Sequence, residues 1–313
     1  MLAYIVRRVL QTIPVLLGAT FFLFVLMYII PGDPVRLLTG ERAMDPQRYQ
    51  QIRHELYLDR PLHLQYLHYV NNLLHGDLGT SYQRGRAVAD ILKEKYPNSI
   101  RLAFTAVLVE IFIGITAGII SAVKRYSFLD VLVTLSTSIL VSVPIFWLGM
   151  ILQIVFGLKL GLLPMSGMGD GSLKYFILPS VTLAAVETAY VARIMRSQML
   201  EVMRQDYIRT AYAKGLKSAA VIMKHGLKNA LIPVVTFIGL DLGSLMGGAI
   251  LTETIFNWPG IGYQIYIAIQ QRDNPLILGG VLVLILVFIA INLIVDISYA
   301  FLDPRIRYGP KES

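Results

Sequence analysis

The sequence contains no cysteine, and only 15% of its 313 residues are charged. The absence of cysteine excludes disulfides, thiolate metal sites and cysteine nucleophiles. Soluble globular domains usually carry about 25% charged residues, so the low charge argues against a soluble enzyme or a nucleic-acid-binding domain. Hydrophobic residues make up 55% of the chain. Because they form long unbroken runs, the sequence predicts an integral membrane protein.

Several catalytic motifs are also missing from the chain. It has no Gly-x-x-x-x-Gly-Lys-Ser/Thr phosphate loop, so we do not expect it to hydrolyse ATP. Ser-His-Asp and His-Glu-x-x-His arrangements are absent. The string Gly167–Asp170 is typical of intramembrane aspartyl proteases, but it lies in a short glycine-rich loop. Four of the five histidines fall between residues 54 and 75 with spacings that do not match a ligand pair, so no metal site is predicted.

Six apolar runs are long enough to cross about 30 Å of hydrocarbon. The first run is longer than the apolar core of a signal peptide and no small-residue cleavage site follows it, so we interpret it as a retained span. Together these runs predict an all-α membrane protein of about six transmembrane helices. The runs are Val9–Ile30, Leu102–Val123, Val131–Phe156, Tyr175–Ala192, Ala230–Leu251 and Leu276–Tyr299.

The distribution of basic residues predicts that both termini lie in the cytoplasm. In that orientation the inner segments carry 15 Lys and Arg residues, and the two short outer loops carry three. The chain then divides into a first transmembrane helix (1–30), an extracytoplasmic segment (31–95), a membrane domain with helices 2–6 (96–302) and a cytoplasmic tail (303–313). A helical stripe of apolar and aromatic residues from Tyr66 to Leu74 is expected to pack on the tops of the spans.

A basic loop, residues 193–229, interrupts the membrane domain on the predicted cytoplasmic side. Its sequence Asp206–Leu216 resembles the conserved cytoplasmic loop of type I ABC importer permeases. The similarity is strongest to the branch that imports dipeptides, oligopeptides, glutathione and nickel, and it runs in collinear order through nearly the whole chain. The other matching stretches are Pro31–Pro34, His75–Ser81, Asn229–Thr236, Leu251–Gly260, Arg272–Pro275 and Asn292–Arg307.

This resemblance implies that a short helix in the loop docks in a groove of an ATPase subunit and transmits its closing motion to the spans. Ala211 and Ala213 are small enough for close approach, and Gly215 can end the helix in a left-handed conformation. Arg209 and Lys214 can pair with acidic groups on the partner. A basic loop held by lipid headgroups is the alternative. The implied coupling residues are Tyr207, Arg209, Thr210, Ala211, Ala213, Lys214 and Gly215.

Four acidic residues fall inside the apolar runs, where a charge is costly. Glu187 or Asp241 could line the pathway and meet the cationic amino terminus of a peptide. The alternative for Glu187 is a local network with Tyr190 and Arg193. Glu110 and Asp296 are weaker candidates for the pathway, and Asp296 resembles a helix-packing residue.

Two further features suggest contacts. Gly239, Gly243 and Gly247 form a small-residue stripe that permits close helix packing, within the bundle or with a second permease. Trp258, Tyr263 and Tyr266 follow the fifth run. They suggest either an interfacial anchor or a surface that contacts the binding protein.

The resemblance as a whole implies the permease subunit of an ATP-driven importer of short peptides in the bacterial cytoplasmic membrane. The implied partners are a homologous second permease, two ATP-binding subunits or domains, an extracytoplasmic substrate-binding protein and membrane lipid, without nucleic acid. The chain itself needs no cofactor, because ATP and Mg²⁺ would be bound by the partner ATPases. Nickel or glutathione import remains an alternative. An ion-coupled secondary transporter is less consistent with the sequence, since inverted repeats are not evident.

Overall fold

The computed structural model describes residues 2–29, 35–36, 45–247 and 249–302. The regular secondary structure of the described part is helical, apart from one isolated β-bridge between Thr80 and Ala87. Three π-helical segments extend the α-helices at Glu110–Ile115, Gln153–Lys159 and Val221–Gly226. The α-helices are α1 Leu2–Ile29, α2 Pro46–Glu55, α3 Leu62–Leu74, α4 Val88–Val109, α5 Thr116–Val123, α6 Phe128–Ser142, α7 Ile145–Leu152, α8 Leu173–Val202, α9 Asp206–Ala213, α10 Ser218–Ala220, α11 Leu227–Gly247, α12 Ile250–Ile255, α13 Ile261–Gln270 and α14 Asn274–Leu302.

Among the described residues, five continuous helical stretches are long and apolar enough to cross a membrane, and one bent helix pair could form a sixth crossing. This agrees with the prediction of about six transmembrane helices. The continuous stretches are Val9–Leu26, Val88–Val123, Leu173–Val202, Ser218–Leu245 and Asn274–Val295.

The predicted third span is broken in the structure. A single uninterrupted helix over Val131–Phe156 is wrong, because α6 and the helix Ile145–Lys159 meet at an angle of 109°. The cause is local. Val143 has an extended backbone with ψ of 129° and directly precedes Pro144, and a residue before proline is sterically pushed out of the helical region.

Helix α8 is the central helix of the bundle. In its apolar window 67% of the residues are buried, the largest share among the candidate spans. Close packing depends on small residues: a Cβ at Gly114 would lie 2.7 Å from Val191 Cγ1, and one at Gly118 would lie 2.6 Å from Met195 Cβ. The helix also continues past Arg193 to Val202, so about the first quarter of the predicted loop 193–229 belongs to this helix.

The predicted outer segment packs on the first span, in part as expected. Tyr66 and Tyr69 of α3 contact Phe24 of α1, and the Tyr66 hydroxyl lies 3.1 Å from Thr20 Oγ1. Leu67 and Leu74 of the same stripe stay largely exposed. The turn Pro31–Pro34 and the tail 303–313 lie outside the described residues.

Candidate functional site: coupling helix, intramembrane acids and outer turn

The proposed coupling residues form a separate short helix, α9. Its inner face is held by Ile208, which is 1% exposed, and by Ala211, which is 5% exposed; both belong to the main apolar core. The spacing of three residues puts these two side chains on one helical face. Ala211 therefore packs against its own chain, so the close approach that its small side chain permits is made within the chain. The other face carries Tyr207, Arg209, Thr210, Ala213 and Lys214, all exposed.

Gly215 ends this helix as predicted. Its φ of +78° lies in the left-handed region, and its N–H donates to the Tyr212 carbonyl over 2.9 Å. A Cβ at this position would meet no atom within 4 Å. A side chain here is therefore disfavoured by the backbone conformation and not by lack of space. Nearby, Asn229 Nδ2 donates to the Tyr207 hydroxyl over 2.9 Å, which ties α9 to the start of α11.

Arginine side chains fix the C-terminal part of α8, the helix that precedes α9. We call this part of α8 the base of the α9 region. The Arg196 guanidinium donates to both carboxylate oxygens of Asp130, over 2.8 Å from Nε and 3.0 Å from Nη2. Nε also lies 3.0 Å from Ser121 Oγ. The pair joins α8 to α6 and α5, and only 6% of the Asp130 side chain is exposed. Sequence reasoning missed this pair because its members are 66 residues apart.

Arg193 does not pair with Glu187, so the local network expected around Glu187 is not formed. Arg193 donates to Thr137 Oγ1 over 3.3 Å and to Ser138 Oγ over 3.1 Å. Tyr190 packs instead against Phe237 of α11, with ring centroids 6.1 Å apart.

Three intramembrane acids come together from three elements. Glu110 lies in the π-helical segment after α4, Glu187 in α8 and Asp241 in α11. The carboxyl group of Glu110 lies beside that of Asp241, and Glu187 is near enough to interact electrostatically with both. We call these three residues the acid cluster. Asp296 is a different case, because its side chain lies outside the described residues.

The acid cluster is buried without matching donors. Glu110 is 0% exposed and Asp241 is 8% exposed, whereas Glu187 is half-buried. Within the described part of the chain, neither carboxylate oxygen of Glu110 nor Oδ2 of Asp241 has a hydrogen bond of standard geometry. Unpaired carboxyl groups are costly away from water, so they are typical of functional sites in membrane proteins. From the sequence, Glu110 is a weaker candidate than the other two; its total burial makes it an equal member.

Among the described side chains, Gly243 of the glycine stripe contributes to helix packing within the chain. A Cβ at Gly243 would lie 3.4 Å from Ile291 Cγ2 and from Asn292 Oδ1 of α14, so the absent side chain permits α11 and α14 to pack closely. Gly239 is half-buried on the same helix. Gly247 is the last residue of α11, and its surroundings are outside the described side chains.

The outer turn, residues 256–263, is anchored from inside the protein. Trp258 is 0% exposed, and its Nε1–H donates to the Asn98 carbonyl over 3.0 Å. Its ring also packs edge-on against Phe176, with centroids 4.7 Å apart. Trp258 is therefore neither an interfacial anchor nor an accessible contact in this structure. Tyr263 is half-buried, and Tyr266 is 37% exposed.

Glu253 is the centre of this anchor, and it was missed from the sequence. Its Oε1 accepts from Ser99 Oγ over 2.6 Å, and its Oε2 accepts from the Tyr263 N–H over 3.0 Å. Ser99 Oγ in turn accepts from the Ile261 N–H over 2.8 Å. Burial raises the pKa of Glu253, and the hydrogen bonds oppose that rise. A Cβ at Gly260 would overlap Glu253 and Ser99, so glycine is required there.

The sequence after the turn also predicts a short helix on the outer surface, with Ile261, Ile265 and Ile269 as an apolar stripe, and this prediction is wrong. Ile261 and Ile265 of α13 are each 1% exposed and pack against Ile91, Leu92 and Leu276. Ile269 remains exposed, at 53%.

Two family descriptions match the chain. Residues 114–308 match the family described as the inner membrane component of binding-protein-dependent transport systems. Residues 1–103 match the corresponding N-terminal family. Together the two matches cover most of the chain.

Curated relatives are similar over nearly the full length. The dipeptide transport system permease protein of Alkalihalophilus pseudofirmus is 43% identical, covering 98% of this chain and 100% of the relative. The dipeptide permease of Escherichia coli K12 is 40% identical over 98% of this chain and 99% of the relative. The glutathione transport system permease of E. coli O6:H1 is 43% identical, again over 98% of this chain and the whole relative.

A solved structure supports the fold. A chain of the MetNI methionine ABC transporter in an inward-facing conformation matches with a TM-score of 0.50 and 19% identity. The match covers 66% of this chain and 95% of the other. At this identity the similarity concerns the arrangement of helices alone.

Proposed function

The chain belongs to the family of inner membrane components of binding-protein-dependent transport systems, and we propose that it is the permease subunit of an ATP-driven importer of short peptides. Identity of 40–43% to dipeptide permeases over nearly the whole chain carries this proposal. It would form the translocation pathway together with a homologous second permease, in the bacterial cytoplasmic membrane.

Helix α9 is the proposed contact with the ATPase. Its outer face offers Arg209 and Lys214 to acidic groups, while Ile208 and Ala211 fix the helix to the core. Directly before it, α8 runs without a break from the membrane to Val202, so a displacement of α9 can reach the spans through a stiff element. ATP and Mg²⁺ would be bound and hydrolysed by two ATP-binding subunits or domains, because this chain has no phosphate loop.

The acid cluster supports a cationic substrate group. Glu187 is half-buried and gives the cluster an accessible side, whereas Glu110 and Asp241 are buried. An ammonium group could offset the cost of placing carboxyl groups in the membrane. A dipeptide has such a group and no net charge, whereas glutathione has the same group with a net negative charge, which an acidic site would accept less readily.

Glutathione import is the second candidate, because one of the similar relatives is a glutathione permease. Nickel import has less support: the described residues contain no group of three His, Asp or Glu side chains able to hold a metal ion.

The test is to purify the chain with the products of neighbouring genes and reconstitute the complex in liposomes. We expect copurification with a second permease and ATPase subunits, and ATP hydrolysis stimulated by the binding protein loaded with a dipeptide. Uptake of labelled dipeptide, glutathione and Ni²⁺ should then be compared in the same vesicles. Transport by this chain alone without ATP, or uptake of glutathione but not dipeptide, would contradict the proposal.

A further inference from the structure

A cavity of about 560 Å³ lies on the predicted outer side, apart from both α9 and the acid cluster. Its walls come from the α2–α3 turn, helix α3, the loop before α4 and the start of α14. We call it the outer pocket. Its lining includes the apolar residues Phe24, Leu73 and Leu278, which we call the floor. A volume of this size falls within the range of small-ligand sites, roughly 300–1,000 Å³.

Among the described residues, the carboxylates that line the outer pocket are not balanced by basic side chains. Glu55 and Asp77 line it, and no described Lys or Arg side chain does. This is notable in a chain with a formal net charge of +8. Both carboxylates are exposed, so they are accessible to a ligand. The local field therefore favours a cation.

Two tyrosines add neutral polar groups and aromatic surface. Tyr69 and Tyr82 line the outer pocket, and burial raises the pKa of each to about 12. Both phenols therefore stay protonated at physiological pH. The hydroxyl group of each tyrosine can donate or accept a hydrogen bond to a ligand. Aromatic rings also attract ammonium groups through cation–π interactions.

One wall of the outer pocket is held firmly in place. Asp273, 0% exposed, accepts hydrogen bonds from the Ser81 hydroxyl and from the Tyr82 N–H over 3.1 Å. Elsewhere in the lining, Tyr57 has a φ of 58° and its ring stacks on His68, with the ring centroids 3.9 Å apart. A left-handed backbone is unusual for a bulky residue. Since these contacts fix the walls before any ligand arrives, binding would cost little ordering entropy.

The described residues favour an organic cation over a metal ion. They contain no group of three His, Asp or Glu side chains positioned to hold a metal. Two carboxylates and an apolar lining in the same pocket instead match a molecule with an ammonium group at one end and an apolar side chain beside it.

We propose that the outer pocket binds the amino-terminal end of a short peptide. Glu55 and Asp77 interact with its ammonium group, Tyr69 and Tyr82 provide hydroxyl and ring contacts, and the first side chain packs on the floor. This inference rests on the proposed function and extends it by placing a substrate-recognition site in this chain, outside the membrane core.

The test uses the purified complex of both permeases and the ATPases, without the binding protein, in isothermal titration calorimetry. Alanyl-phenylalanine should bind, and N-acetyl-alanyl-phenylalanine should bind at least tenfold more weakly. The double variant Glu55→Gln/Asp77→Asn should lose affinity for the free peptide by a similar factor. Asn at 77 keeps an oxygen for the Gly79 N–H, which now donates to Asp77 Oδ1 over 2.8 Å, so the fold should be preserved.

Glu94→Gln is the matched control. Glu94 is also an exposed carboxylate on the predicted outer side, but it interacts with Lys95 and Arg86 and does not line the pocket. This variant should bind the dipeptide like the wild type. Equal affinity for the acetylated peptide, or an unchanged affinity in the double variant, would overturn the proposal.

Uptake by the complete system separates this inference from the proposed function. Normal dipeptide uptake with no binding preference for the free amine overturns the outer pocket and leaves the proposed function intact. If the wild type imports no dipeptide, the proposed function fails. The outer pocket is then still supported as an ammonium site if calorimetry shows the preference for the free amine.

Discussion

Helix α9 and the outer turn are both short, non-spanning parts of the chain, but they are held in opposite ways. Helix α9 buries two side chains, Ile208 and Ala211, and leaves the rest of its surface exposed. The outer turn buries its largest side chain, Trp258, and its acid, Glu253. One region leaves its polar groups exposed, and the other uses them to fix its own position. The comparison distinguishes an exposed surface that is suited to docking from a turn that is anchored rigidly to the helix bundle.

The largest effect is expected when the Arg196–Asp130 pair at the base of the α9 region is broken. This prediction tests whether that base is firmly anchored. Arg196→Ala would leave the buried Asp130 carboxylate without its ionic partner and should lower the free energy of unfolding by about 3 kcal/mol. This value is the lower end of the range for buried ion pairs, because the Arg196 side chain is 31% exposed. Thermal unfolding of the purified complex measures the loss. The double variant Arg196→Ala/Asp130→Ala should recover much of it. A negligible loss in the single variant would show that this base is not firmly anchored.

The anchor of the outer turn should give the next largest effect. Glu253→Ala removes the acceptor for Ser99 and for the Tyr263 N–H, and each buried donor left unpaired costs roughly 1–3 kcal/mol. We expect a lower unfolding temperature and faster hydrogen exchange in residues 256–263. Glu94→Ala removes an exposed carboxylate and serves as the control. If both variants unfold alike, the outer turn is no more rigid than an ordinary loop.

A change at the end of α9 should impair coupling more than stability. Gly215→Val places a β-branched residue in a left-handed conformation, which costs about 1–3 kcal/mol locally and should displace Lys214 and the docking face. ATP-driven uptake should fall by about tenfold, while the amount of inserted protein stays unchanged. Gly215→Asn is the control, because asparagine tolerates this conformation better. Full uptake in the valine variant would argue strongly against α9 as the coupling helix.

The smallest effect is a pH dependence of the outer turn. Burial raises the pKa of Glu253 above its ordinary value of 4.5, so the folded state binds this proton more tightly than the unfolded state. The stabilisation is therefore fully present below the unfolded pKa and is lost as the pH rises through the folded pKa. The difference in unfolding temperature between wild type and Glu253→Gln should shrink from pH 4 to pH 8. A difference that grows over this range would contradict the direction of the shift.

The candidate site was predictable where its signal is local. Asp206–Leu216 predicted a short helix that ends at Gly215, and the structure has this helix and this left-handed glycine. Pro144 could have predicted the break after α6, but it lies inside a continuous apolar run that we interpreted as a single span. Burial of Ala211 and Trp258 was not predictable, since composition does not reveal which side of a short element faces its own core.

The sequence by itself determined that this protein is a helical membrane protein of about six crossings with a basic loop, because hydrocarbon thickness and side-chain hydropathy act on each segment separately. Only the tertiary structure decided which distant polar groups meet. It brought Glu110, Glu187 and Asp241 together, paired Arg196 with Asp130 and placed Glu253 on Ser99. These contacts join residues on different helices, and helix packing sets their distances, which no local pattern records.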